Sequence, residues 1–142
     1  MSQKVPLVDL HAQYQTIRPA IDAAIQSVIE RTAFIMGPDV HSFEEDFASY
    51  CTATYAVGVA SGTAALELTL RACGIGAGDE VITSAHTFIA TAEAISAVGA
   101  RPVFADIDQS TYNLAPHAVE AVLTPATRTI LPVHIYGQPA DM

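Results

Sequence analysis

Two short stretches carry residue types that suit chemistry. The first is Ser61-Gly62-Thr63-Ala64, inside VASGTAALELTL, where a β-branched run gives way to a leucine-rich helical pattern. The first turn of a helix has unpaired N–H groups and the positive end of the helix dipole, so this junction suits an anion such as a phosphate. Gly62 lets the backbone approach closely and Thr63 adds a hydroxyl. Ser61 or Thr63 as a plain helix cap accounts for the same residues. Neither the Gly-Lys-Ser/Thr of a P-loop nor the G-x-G-x-x-G of a dinucleotide site is present. The second stretch, Ser84-Ala85-His86-Thr87-Phe88, follows the next strand, at the edge of the sheet where ligands of open α/β folds collect. Phe88 is either a flat face for a planar ring or an ordinary core aromatic. His86 is a base, a ring neighbour or a polar surface group. The acidic residues read as solvated helix faces and turn residues, and no pair among them demands acid/base work.

The elements that must position these residues follow from periodicity. Ile21, Ile25, Val28 and Ile29 recur at helical spacing over residues 18–31, with Pro19 suited to a first-turn position. After the breaker Gly37-Pro38, Val40, Phe43, Phe47 and Tyr50 share a second helical face, with Glu44, Glu45 and Asp46 toward solvent. Residues 55–59 then read as a short strand, 63–73 as a helix that Gly74 ends in a left-handed conformation, and 76–79 as a turn. A strand at 80–83, a helix at 87–98 closed by Gly99, a strand at 102–107, a helix at 116–123 and a strand at 129–135 complete the series. Alternating strands and helices specify an α/β fold with a mostly parallel sheet behind two leading helices. The sequence stops at QPADM, directly after a strand, which predicts the N-terminal part of a larger protein.

With 142 residues and 51% hydrophobic composition, the chain can bury one core. Six Lys and Arg against 15 Asp and Glu give a net charge of −9, which repels nucleic acid and anionic membranes. Cys51 and Cys73 fit no metal-ligand spacing and read as structural thiols of a reducing compartment; the five histidines are scattered, so no metal site is expected. The N-terminus lacks the apolar core of a signal peptide and no run is long enough to span a bilayer, which predicts a cytoplasmic protein. Lys4 is the sole lysine.

Six pieces in order, VPLVDLHAQY, FIMGPDVHSFEEDFASY, VASGTAALELTL, GAGDEVITSAHTFIATAEAI, GARPVFADIDQSTYNLAP and LPVHIYGQPADM, run over nearly the whole chain. Through them the chain resembles the N-terminal part of the sugar-nucleotide aminotransferases (DegT/DnrJ/StrS-like), fold type I enzymes that use pyridoxal 5′-phosphate. The resemblance implies residues 1–142 of the three-layer αβα large domain, a helical segment at 1–52 and βα units at 53–142. It implies that the Thr63 hydroxyl and the N–H groups of Gly62, Thr63 and Ala64 hold the cofactor phosphate, and that Phe88 stacks on the pyridine ring. The Met36-Gly37-Pro38 loop is similar to one near the substrate, often across a dimer interface.

In the family a lysine forms a Schiff base with the cofactor, a carboxylate keeps the pyridine nitrogen protonated, and an amine passes from a donor, typically glutamate, to a keto group on a nucleotide-linked sugar. The resemblance places that lysine and carboxylate beyond Met142, so no catalytic residue is assigned here and the 142 residues alone are expected to be inactive. It also implies a homodimer. A dehydratase or lyase of the same fold, with histidine in place of the lysine, and a non-catalytic or regulatory remnant stay open. In the strand order the resemblance implies, residues 55–59 have no ladder partner within the chain, while the strands near Val81, Val103 and Val133 are adjacent, the last leaving one edge exposed.

Overall fold

The computed structural model describes residues 6–142, which form two compact units that divide after Gly58. The first carries helices α1 (Leu10–Glu30) and α2 (Pro38–Tyr50). Helix α1 starts eight residues before the position that Pro19 suggests, because Asp9 caps it by accepting the Ala12 N–H at 2.9 Å. Pro19 therefore sits inside the helix, where it leaves the exposed Gln15 carbonyl without an intrahelical donor. In α2, Phe43 and Phe47 stack at 5.6 Å between ring centroids. Glu44 does not face solvent as its charge suggests: it is partly buried and accepts the Gly58 N–H at 2.6 Å. Residues 55–59 form no strand, since a strand needs a ladder partner and the described residues supply none. Lys4 lies outside the described residues.

The second unit contains α3 (Gly62–Ala72), β1 (Glu80–Ser84), α4 (Ala90–Ala97), β2 (Arg101–Ala105), α5 (Pro116–Val122) and β3 (Thr127–Leu131). Its strands pair in parallel in the order β2-β1-β3, with Ile82 opposite Val103 on one side and Ile130 on the other. Every residue of β1 is buried, as expected for a central parallel strand covered on both faces. Alternation sends Val81 into a cluster with Leu70, Ile75, Ile95 and Val98, and Ile82 into another with Ala105, Leu114 and Val119. Thus α3 and α4 cover one face of the sheet and α5 the other.

Gly74 and Gly99, at φ +73° and +85°, close α3 and α4 in the left-handed conformation their positions predict. β3 begins and ends earlier than the apolar run suggests: Pro132 has no N–H to continue a ladder, so Val133 lies beyond it and the chain enters a 3-10 turn at Ile135–Gly137. Cys51 and Cys73 are free and exposed. No helix among the described residues is long and apolar enough to cross a membrane.

Candidate active site at the strand ends

The C-terminal edge of the sheet gathers the chemistry-bearing residues. Leu70, near the end of α3, packs in one cluster with Val81, at the start of β1, so α3 runs back along the strand. At 1.5 Å per residue α3 is about 16 Å long and β1, at about 3.3 Å per residue, is much the same, which brings the α3 N-terminus level with the end of β1. The Arg71 guanidinium, in the last turn of α3, donates to the Ala97 carbonyl at the end of α4 at 3.1 Å. The two helices therefore lie side by side in parallel. Their N-termini, at Gly62 and Ala90, open at the same end of the unit, and Phe88 stands two residues before the second.

At the α3 N-terminus Ser61 is the cap: its Oγ accepts the Ala64 N–H at 3.1 Å, and its carbonyl accepts the Ala65 N–H at 2.9 Å. The N–H groups of Gly62 and Thr63 have no acceptor among the described residues. A Cβ built on Gly62 would meet nothing within 4 Å. Neither packing nor a left-handed φ requires glycine there, and the space beside it is open.

Phe88 is not a core aromatic of this chain, since its side chain is 76% exposed. The helix expected from residue 87 starts only at Ala90. Ser84 Oγ accepts the His86 N–H at 2.9 Å and the Thr87 and Thr91 hydroxyls bond at 3.0 Å, so residues 85–89 form a pinned loop instead of a first helical turn. An open cleft of about 490 Å³ lies beside this loop, lined by Ser84, Ala85, His86, Phe104, Asp106 and Ile107.

The structure adds a group that sequence reasoning missed. His86, Tyr112 and Tyr136, from the loops after β1, β2 and β3, bring their rings together with centroids 5.7–6.3 Å apart. Tyr136 Oη and His86 Nε2 are hydrogen-bonded at 3.1 Å, the donor being set by the histidine tautomer. Both tyrosines hold positive φ, +61° and +54°, which is uncommon for bulky residues. Each is fixed by polar clamps. The Asp108 carboxylate accepts from the Ser110 hydroxyl and the Ser110 and Thr111 N–H groups, which holds it below the usual carboxylate range, and the Tyr112 N–H donates to the Asp108 carbonyl at 2.8 Å. Asn113, only 3% exposed, donates to the Gln138 and Pro139 carbonyls at 3.0 Å and accepts the Ile135 N–H at 3.2 Å, gripping the turn that carries Tyr136. The rule that ligands collect beyond strand ends would have flagged the tyrosines; nothing local marks Asn113 as buried.

A family profile described as the DegT/DnrJ/EryC1/StrS aminotransferase family matches residues 15–142. The dTDP-3-amino-3,4,6-trideoxy-alpha-D-glucose transaminase of Streptomyces venezuelae is 49% identical over 98% of this chain, which spans 37% of that relative's length. Among solved structures, S. venezuelae DesV in complex with a ketimine intermediate superposes with a TM-score of 0.95 at 48% identity, over 99% of this chain and 38% of that one. NtdA from Bacillus subtilis with bound cofactor PMP gives a TM-score of 0.93 at 34% identity, over 99% of this chain and 33% of its own.

Proposed function

The chain belongs to the DegT/DnrJ/EryC1/StrS aminotransferase family, and from that premise we propose that its protein transfers an amino group to a keto carbon of a nucleotide-linked sugar, using pyridoxal 5′-phosphate and an amino-acid donor, glutamate first among the candidates. The observation that carries this reading is the pairing, at one end of the unit, of two unclaimed N–H donors beside an open Gly62 with the exposed ring of Phe88. The residues fit the cofactor on chemical grounds. A phosphate dianion at the α3 N-terminus gains charge-assisted hydrogen bonds from the Gly62 and Thr63 N–H groups and the Thr63 hydroxyl. The Ala64 N–H, shared with Ser61 Oγ, joins them once the phosphate competes for it. Phe88 offers a flat face that fixes the plane of the pyridine ring and leaves its opposite side open to the reacting groups.

When bound, pyridoxal phosphate supplies the electron sink that makes amino transfer feasible. What these 142 residues do is bind and orient. The helix N-terminus neutralises charge, and the glycine keeps a side chain out of the phosphate's place. A cytoplasmic homodimer, with the Met36-Gly37-Pro38 loop near the sugar, completes the reading by resemblance.

Binding by the protein of pyridoxal phosphate and of pyridoxal, which lacks the phosphate, tests this. Thr63→Ala removes one hydrogen bond to a charged group, worth about 1.5–3 kcal/mol, and is expected to raise the Kd for pyridoxal phosphate about ten- to a hundredfold while leaving pyridoxal binding unchanged. Equal losses for both compounds, or none, would assign Thr63 to the helix alone.

A further inference from the structure

We propose that the His86–Tyr136 hydrogen bond, with Tyr112 edge-on to Tyr136 and tilted at 36° to the imidazole, is a positioning device that fixes the loop carrying Phe88. Phe88 is largely exposed, so packing of its own ring does little to set its direction; the backbone of residues 85–89 must do so. That backbone is pinned at its start by Ser84 Oγ on the His86 N–H and at its end by the Thr87–Thr91 hydroxyl pair. The His86 side chain supplies a third, lateral point, fifty residues away in sequence, on Tyr136.

The far end of this tether is itself rigidly mounted. A residue held at positive φ persists only where its surroundings over-determine it, and such residues cluster at functional sites. Tyr136, at φ +54°, is carried by the turn that the buried Asn113 grips through three hydrogen bonds. Tyr112, at φ +61°, is carried by the turn that Asp108 closes, immediately before Asn113. Two clamped turns, linked to each other through Asn113, thus converge on one imidazole, and the imidazole stands two residues before Phe88. Covering the surface does not account for the arrangement, because Tyr136 remains 78% exposed and buries little area in return for its strained backbone.

The tether itself is independent of any ligand; only its consequence for cofactor affinity rests on the function proposed above. The chain contains no tryptophan, so Phe88→Trp introduces a single fluorescent reporter at the loop. In the 142-residue chain carrying that substitution, time-resolved anisotropy of the indole should show a restrained side chain. Adding Tyr136→Phe, which removes one oxygen and keeps the ring, should enlarge the fast-rotating fraction. His86→Phe should do the same, and the two together should do no more than either alone, because they break one bond.

An anisotropy decay unchanged by either substitution would overturn the proposal, as would an indole already free in the reporter alone. Additive effects, or loss of the cooperative melting transition in Tyr136→Phe, would make the hydroxyl a general element of the fold and overturn it equally. In the whole protein with Phe88 intact, titration with pyridoxal phosphate should then give a Kd raised about three- to tenfold by Tyr136→Phe, the range of one ordinary hydrogen bond. A loosened indole with unchanged Kd would sever the tether from the ligand. A responsive indole in the 142 residues with no pyridoxal phosphate binding by the whole protein would leave the tether standing and remove the cofactor reading.

Discussion

The two edges of the β2-β1-β3 sheet are built by opposite rules. At the N-terminal edge a network of polar groups closes on itself. The Glu80 carboxylate, on a residue 5% exposed, pairs with the Arg101 guanidinium and accepts the Thr124 hydroxyl at 2.7 Å; Asp79 accepts the Gly76 N–H at 2.9 Å; the Glu80 and Arg101 N–H groups donate to the Ala126 and Asp79 carbonyls. At the C-terminal edge two helix donors are unclaimed, a glycine opens onto empty space, an aromatic ring is bare and two tyrosines hold left-handed backbone. Free energy is spent on closure at one edge and withheld at the other, the pattern expected where a rigid scaffold presents a binding edge.

The largest test of that contrast strikes the closed side. Ile95 of α4 is fully buried among Leu70, Ile75, Val81, Val98 and Ala100. Ile95→Ala removes buried methylenes and leaves a cavity, which costs about 2–5 kcal/mol of stability. Denaturant unfolding should show that loss, while the folded fraction retains its affinity for pyridoxal phosphate. A binding defect as large as the stability defect would mean that the two edges are not separable.

On the open side the expectation reverses. Phe88→Ala deletes a ring that contributes little burial, so the melting temperature should hold within about a degree or two; surface substitutions away from caps and networks change stability by about 0.5 kcal/mol or less. Affinity for pyridoxal phosphate should fall through the lost stacking, worth about 0.5–1.5 kcal/mol, or roughly two- to twelvefold in Kd. A destabilised Phe88→Ala protein with unaltered binding would return the ring to a structural role and erase the contrast.

The sequence shows some of this arrangement and hides the rest, for physical reasons. Helix α2, the ends of α3 and α4 at Gly74 and Gly99, and the α/β order are legible because periodicity, Pro38 and terminal glycines are local signals. The start of α1 was hidden because Pro19, which suits a first turn, competes with Asp9, which is the actual cap. Residues 55–59 do not form the expected strand because an extended apolar run specifies only the potential to pair, and pairing is non-local. At the candidate site, Ser61, Gly62, Thr63 and Phe88 are visible as types, but nothing local says that Phe88 is bare. The His86–Tyr112–Tyr136 group depends on three strands ending side by side, which no window of sequence contains.

The smallest effect sharpens the closed edge. Thr124's hydroxyl, followed by the Arg101 guanidinium, holds the Glu80 carboxyl below its ordinary value against the opposing pull of burial. A folded-state pKa below the unfolded one means that the ionised group stabilises the fold at every pH above the unfolded value, about 4.3, and that this contribution is lost as pH falls through the folded value. Glu80→Gln keeps the shape and removes the titration. The melting temperature of the unsubstituted protein minus that of Glu80→Gln should therefore be constant from pH 7 to about pH 5 and shrink as the pH drops further. Asp108, also held low by Ser110 and Thr111, titrates in the same acid window in both proteins, so the difference between them isolates Glu80. A difference that stays flat to pH 3 would show that the Glu80 network stabilises through shape and hydrogen bonding alone, with its charge contributing nothing.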